Sequence, residues 1–186
     1  MNLFYESYPE MVEVHGENIR IVTDFRDYIK LQDALSDDSV SEFEQYMIIC
    51  DFFLDDCVVD EEAIHALTDF LTMSIVDQAG ITKSKDDHKP LFSFSVDFPY
   101  ILSAFISVYG INLQTIKYMH WWKFKTLFDG LPDNTEIKQR IMYRGIDLST
   151  IKDKEERKRI RRIQNAIRLP NKRVLSDYEI GDVFSQ

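Results

Sequence analysis

The two tryptophans of this chain stand side by side, Trp121 and Trp122, in an aromatic segment that spans residues 118–132. Tryptophan buries a large apolar surface and carries one N–H group that needs a hydrogen-bond acceptor. Neighbouring positions on a helix point about 100° apart, so the pair must make aromatic contacts on two sides. The segment is therefore predicted to be a central element of the core, or a core element that also contacts a partner.

A helical wheel of the helix predicted over 112–130, which contains most of this segment, separates an apolar face from Tyr118 and Trp122. The apolar face, predicted as core, comprises Leu113, Ile116, His120, Trp121, Phe124, Leu127 and Phe128. His120 lies in the middle of that face and is interpreted as a hydrogen-bonded core histidine. Two interpretations remain for Tyr118 and Trp122: packing against a further helix, which is preferred, or a partner-binding edge, since tryptophan is enriched at binding hot spots.

Periodicity predicts a mainly α (α+β) fold. Alternating apolar and polar residues on both sides of a turn at 15–18 predict a β-hairpin over 11–22. Helical spacing follows in about seven segments. Their predicted bounds are 24–35, 41–54, from 60 to about 74, 97–110, 112–130, 132–145, and from 147 or 149 to before Pro170. We expect one domain over 1–170, in which the hairpin is attached to the helices, and a C-terminal tail over 171–186.

Composition argues against a membrane or secreted protein. The longest apolar run, 98–109, is shorter than the roughly 20 residues that a membrane-spanning helix requires. The N-terminus shows no basic region or cleavage site typical of a secretory signal. Cys50 and Cys57 suggest neither a disulfide framework nor a zinc site. The sequence therefore predicts a cytoplasmic protein with reduced thiols.

Charge is divided unequally along the chain. Residues 1–110 carry 22 acidic and 6 basic side chains, whereas residues 111–186 carry 10 acidic and 16 basic ones. This asymmetry suggests that the two ends face different partners, or that one end meets the other in an assembly. The alternative is that both ends are simply solvated.

No catalytic, cofactor or metal site is predicted. The sequence contains no Gly-rich phosphate loop, nucleophile elbow or Cys/His metal pattern. A dense group of carboxylates at 55–62 contains oxygen ligands of the kind that divalent cations prefer. It lacks the spacing of a calcium loop, however, and an acidic helix start explains it more simply.

The segment 152–168 is predicted to be a basic helix with an apolar stripe. Ile160, Ile163 and Ile167 form the stripe, and Arg157 and Arg161 are among the surrounding cations. Nucleic-acid binding through the phosphates is one interpretation, and binding to a membrane surface is another, although three isoleucines are a small apolar face for a membrane. A third is that the stripe lies in a protein groove while the cations meet an acidic surface. We favour the protein partner, because the overall charge of −10 repels nucleic acid.

Several motifs together resemble the bacteriophage gene-product-fifteen family, found in tail modules of long-tailed phages and prophages of Gram-positive bacteria. The resemblance covers about residues 8–170. It rests on Met119-His120-Trp121-Trp122-Lys123-Phe124, Leu127-Phe128, Leu131-Pro132, Ile141-Met142-Tyr143-Arg144, Ile146-Asp147-Leu148 and Ile151-Lys152-Asp153-Lys154-Glu155, with upstream Tyr28-Ile29-Lys30-Leu31 and the Phe92-Ser93-Phe94, Asp97 and Tyr100-Ile101 block.

The resemblance implies a gene beside the tape-measure gene and therefore a tail assembly chaperone. Such a protein binds the tape-measure protein, helps to recruit the tail-tube protein and acts in the cytoplasm of the bacterial host. No catalytic residues are implied. Candidate partner-binding residues are Tyr118, Trp122, Arg157, Ile160, Arg161, Ile163 and Ile167. A homo-oligomer through the acidic half and the basic helix, a nucleic-acid-binding phage factor and a structural tail component are the alternatives.

Overall fold

Two strands and seven helices make up the parts of the chain that the computed structural model describes, residues 5–74 and 90–170. The elements are β1 (Met11–Val14), β2 (Glu17–Arg20), α1 (Phe25–Leu35), α2 (Glu42–Cys50), α3 (Glu61–Thr72), α4 (Phe98–Tyr109), α5 (Trp121–Asp129), α6 (Glu136–Gly145) and α7 (Lys154–Ala166). The predicted mainly α fold with an N-terminal hairpin is confirmed. The predicted tail at 171–186 lies outside the described residues.

The hairpin turns in two residues, not in the four predicted. Its strands pair antiparallel, with Val14 opposite Glu17. The turn residues His15 and Gly16 have φ angles of 51° and 78°. Positive φ at both positions matches the twist of the strands, and glycine adopts it without a Cβ clash. The imidazole of His15 also lies 2.9 Å from a carboxylate oxygen of Asp60, the N-cap of α3.

Helix α2 ends earlier than periodicity predicts. Helical spacing continues to Leu54, but the backbone leaves the helix after Cys50 and pairs with the last residue of β2 and the chain that follows it. Val22 N–H donates to Phe52 O at 2.9 Å, and Leu54 N–H donates to Arg20 O at 2.8 Å. The prediction of helix for 51–54 was therefore wrong: local turn hydrogen bonds continue to Phe53, but Phe52 O and Leu54 N–H take long-range partners instead of helical ones.

Helix α5 begins nine residues after the predicted cap at Asn112. Asn112 closes only a local turn, in which its side chain accepts from Gln114 N–H. Residues 119–121 then pair in extended form with the start of α1: Phe25 N–H donates to Met119 O, and Trp121 N–H donates to Thr23 O. The predicted helical wheel was therefore wrong for Leu113 and the other residues before Trp121, because they are not part of the helix.

Helices α6 and α7 also begin later than predicted. A turn precedes α6, with Thr135 N–H donating to Pro132 O. Asp147 holds a second turn by accepting from the backbone and hydroxyl of Ser149, and Asp153 is the N-cap of α7. In both places a turn-forming residue resembles a helix cap in sequence.

The described residues form two compact units that share α5. The first contains 5–74 and 118–125, and its core surrounds the fully buried ring of Tyr28. The second contains 90–117 and 126–170, and its buried residues include Phe105 and Ile137. The expectation of a single domain over 1–170 stays a prediction.

Candidate interaction surfaces

Both tryptophans are completely buried and cap helix α3. The indole N–H of Trp121 donates to Leu71 O at 2.9 Å, and that of Trp122 donates to Phe70 O at 2.8 Å. The last carbonyls of a helix lack intrahelical donors. Met73, in the left-handed conformation, ends α3. The pair therefore satisfies helix-end acceptors while its rings fill the core of the first unit.

Aromatic rings surround the pair on two sides, as its adjacent positions require. Trp121 stacks on Tyr28 at a centroid distance of 5.3 Å, and Trp122 lies 5.5 Å from Phe70. Such ring pairs stabilise a core beyond their buried area. Packing is therefore the correct interpretation of Trp122, and its side chain is not accessible to a partner.

His120 is a core residue, as predicted, and it caps α5. Its Nδ1 accepts from the backbone N–H of Trp122 at 3.0 Å, while Nε2 donates to Pro9 O at 3.0 Å. This arrangement requires the neutral imidazole with the proton on Nε2. Burial lowers the pKa of His120, outweighing the hydrogen bond to Pro9 and the charge of Glu10, which raise it.

Tyr118 is the exposed member of the predicted aromatic pair. Its ring is half-exposed, and its hydroxyl lies 2.7 Å from Thr23 Oγ1. Since α5 begins at Trp121, Tyr118 is not part of that helix. Tyr118 and Trp122 therefore do not form a shared docking edge.

The isoleucine stripe of α7 is used largely within the second unit. Ile160 is buried, and Ile163 and Ile167 are partly buried. Helix α7 packs on α6, where Gln164 donates its amide to Tyr143 O and Ile146 O at 2.9 and 2.8 Å. The stripe is therefore not an open face that a partner's groove could enclose, and Ile160 is withdrawn as a binding candidate.

The cations of α7 divide into two groups. Arg157 donates to Ile151 O at 3.0 Å and so holds the preceding loop. Arg159 pairs with Glu156, and this pairing lowers the pKa of that carboxyl. Arg161 and its neighbours Lys158 and Arg162 are exposed, and within the described residues their side chains have no hydrogen bond or ion pair. This solvent-facing basic surface remains open to an anionic partner.

Two of the carboxylates at 55–62, Asp55 and Asp60, serve local structure. Asp55 accepts from the guanidinium of Arg20, and these hydrogen bonds lower its pKa to about 2. Asp60 caps α3 by accepting from Glu62 N–H and Ala63 N–H. Across residues 5–74 and 90–170 no group of three or more histidine, cysteine or acidic side chains is arranged to hold a metal ion.

An exposed apolar surface lies on α2. Phe43 is 72% exposed and Met47 is 47% exposed, and the ring of Tyr46 is also exposed. Only Gln45 and Ile49 of this helix are buried. We call Phe43, Tyr46, Met47 and the exposed Val58 the α2 face.

A depression of about 400 Å³ adjoins the α2 face. Tyr46 and Cys50 of α2 line one side, and 55–59 line the other. The hydroxyl of Tyr46 donates to Val59 O at 3.0 Å and ties the two sides together. Sequence reasoning missed this surface because helical spacing alone does not say which apolar side of α2 is covered. The available signal was that apolar residues occupy more of α2 than one stripe.

A comparison with protein families identifies the relatives of this chain. The model described as "Bacteriophage Gp15 protein" matches residues 4–169. The chain belongs to this family. The resemblance drawn from its sequence motifs is thereby confirmed, and the Gp15-family chain is a phage structural or assembly protein.

Comparison of this Gp15-family chain with curated proteins and with solved structures gives no match. Within the described ranges, none of its helices is both long and apolar enough to cross a bilayer.

Proposed function

We propose that this chain is a non-enzymatic tail assembly chaperone, which binds the tape-measure protein and assists assembly of the tail tube. Family membership supports a role in phage assembly. The observation that carries the finer proposal is the α2 face, an exposed apolar helix surface. A long helical protein exposes apolar seams until its partners cover them, and an apolar helix face binds such seams.

Co-expression tests this proposal. The tape-measure gene that the family resemblance implies beside this one is expressed with and without this chain, and the soluble fraction of its product is measured. We expect more soluble tape-measure protein in the presence of the chain, and a complex that co-purifies. Equal solubility in both cultures would refute the proposal.

A second candidate is a nucleic-acid-binding phage factor acting through α7. The exposed side chains of Lys158, Arg161 and Arg162 favour it, because such cations bind phosphates. It predicts a gel shift at low salt that weakens in an Arg161→Gln, Arg162→Gln variant. No shift at low salt would eliminate it. The net charge of −10 makes the protein partner the better-supported candidate.

A further inference from the structure

We infer that the α2 face binds an amphipathic helix whose apolar stripe is flanked by lysine or arginine. The inference names the docking surface and the chemistry of its occupant. It rests on the proposed function, because this helix would belong to the protein that the chaperone holds.

The α2 face has the exposure and spacing of a helix-binding surface. Tyr46 and Met47 lie three and four positions after Phe43, so both side chains neighbour the ring of Phe43 on the helix surface. Within the described residues, 5–74 and 90–170, no side chain buries Phe43, Tyr46 or Met47. A contiguous exposed apolar patch of this kind typically marks a site of protein interaction.

The dimensions of the surface fit a helix better than a flat interface. Helix α2 has nine residues and so extends for about 14 Å, enough for side chains at i, i+4 and i+7 of a partner helix. The depression beside Tyr46 and Val58 is also lined by Asp55 and Asp56, so it suits a side chain with an apolar stem and a cationic end. The hydrogen bond from Tyr46 to Val59 fixes this depression before binding, which reduces the entropy lost on association.

The charges around the face specify a basic occupant. Residues 37–62 contain ten carboxylates, and no lysine, arginine or histidine occurs from Leu31 to Ile64. Asp55 is already paired with Arg20. The side chains of Glu42, Asp51 and Asp56 have no ion pair or hydrogen bond within the described residues. Complementary charge accelerates association and selects partners, so lysine or arginine flanks would be favoured.

Helix α7 of a second copy fits this surface less well. Its solvent-facing side presents cations, but Ile160 is buried in its own unit. A second copy could therefore meet the carboxylates but would leave Phe43 and Met47 uncovered. An occupant that satisfies both features must present apolar and basic residues together, as an amphipathic helix of another protein does.

The test uses the full chain and a synthetic amphipathic peptide of about 20 residues, long enough to form a helix, with a leucine stripe and lysine flanks. A matched peptide replaces the lysines with glutamates. We expect the lysine peptide to bind the wild-type chain at least about tenfold more tightly than the glutamate peptide. Phe43→Glu and Met47→Glu should each weaken binding about tenfold or more.

The chain offers a close control. Met142 on α6 is 46% exposed, almost the same as Met47, so Met142→Glu makes the same change on another helix. It should leave peptide affinity unchanged. A Glu42→Gln, Asp51→Asn, Asp56→Asn variant should lose affinity for the lysine peptide while keeping its circular dichroism spectrum.

The inference fails if wild-type and Met47→Glu chains of equal helicity bind the lysine peptide equally, or if neither binds it. Self-association of the wild-type chain that Met47→Glu abolishes would also overturn it, because the occupant would then be a second copy.

Co-expression separates the docking inference from the chaperone proposal. If Met47→Glu solubilises the tape-measure protein as well as the wild type does, the docking surface is wrong and the chaperone proposal stands. If the wild type itself does not solubilise it, the chaperone proposal fails.

Discussion

Trp122 donates its indole N–H to the carbonyl oxygen of Phe70, 52 positions earlier in the chain, at 2.8 Å. Trp121 makes the same contact with Leu71, the next carbonyl along α3. Lys125 places its ammonium 3.4 Å from the same Leu71 oxygen, where the helix dipole favours a cation. Three side chains of α5 thus stabilise the end of α3.

Replacing Trp122 with phenylalanine should destabilise the protein by about 2–4 kcal/mol. The variant loses one hydrogen bond to Phe70 O and part of a fully buried ring, so it leaves both a cavity and a weakened helix end. Urea denaturation followed by circular dichroism measures the change. Tyr118→Phe removes an aromatic hydroxyl from an exposed residue and should cost less than about 1 kcal/mol. An equal loss of stability in Trp122→Phe and Tyr118→Phe would mean that the buried indole of Trp122 stabilises the protein no more than the exposed hydroxyl of Tyr118 does.

The position of Trp122 shows what the sequence alone determines. Adjacent tryptophans require two aromatic contacts, which was correctly predicted, but the partners Tyr28 and Phe70 are distant in the chain. Local patterns therefore predict the helices, the hairpin and the starts of α1, α2 and α3, where Asp24, Ser41 and Asp60 are the N-caps. They do not predict helix ends that long-range pairing decides.

Two places illustrate that limit. The segment 51–54 has helical periodicity, yet Leu54 N–H donates to Arg20 O at the end of β2, and Phe52 O accepts from Val22 N–H just after it. Met119 pairs with Phe25 and delays α5. For the candidate surface the limit is different: Met47 and Ile49 are equally apolar, and only the tertiary packing determines that Ile49 is buried while Met47 is exposed.

Acid should destabilise the first unit through His120. The pKa of its imidazole is below the unfolded value of about 6.5, so the unfolded chain binds more protons between these two values. The free energy of unfolding should therefore be highest above pH 6.5 and fall as pH drops through that value toward the folded pKa. Protonation of Nδ1 would also remove the acceptor for Trp122 N–H.

Denaturant titrations between about pH 7.5 and 5.5 check this prediction. A His120→Asn variant keeps an N-cap acceptor and should lose most of the fall in stability with acid. His15→Asn is the control, because His15 is half-exposed and its positive φ is tolerated by asparagine. A fall of the same size in the His120→Asn chain would assign the acid sensitivity to other groups.

The buried ion pair of the second unit should be the polar contact whose loss lowers the stability of that unit most. Arg144 donates to Asp97 through two nitrogens at 2.6 and 2.9 Å, and both side chains are buried. It also donates to Leu91 O and Ile167 O. Removing one partner leaves an unpaired buried charge, so Arg144→Met should cost about 3–5 kcal/mol.

Calorimetry of Arg144→Met, Asp97→Asn and the double variant measures the coupling between the two residues. Their effects should be less than additive by more than about 1 kcal/mol, because each single change already breaks the pair. The pair of exposed Glu136 with partly buried Arg140 is the control, and Glu136→Gln should cost less than about 1 kcal/mol. Additive effects of Arg144→Met and Asp97→Asn would contradict the central role of this pair.

Helix α7 should prove structural on one side and dispensable for stability on the other. Ile160 is buried against its own unit, so Ile160→Ala should destabilise the protein by about 2–4 kcal/mol. Arg161 is exposed one residue later, and Arg161→Ala should change stability by less than about 0.5 kcal/mol. Thermal denaturation of the two variants compares these positions directly. If Ile160→Ala instead left the melting temperature unchanged and weakened only partner binding, the apolar stripe would be a docking face, contrary to its packing on α6.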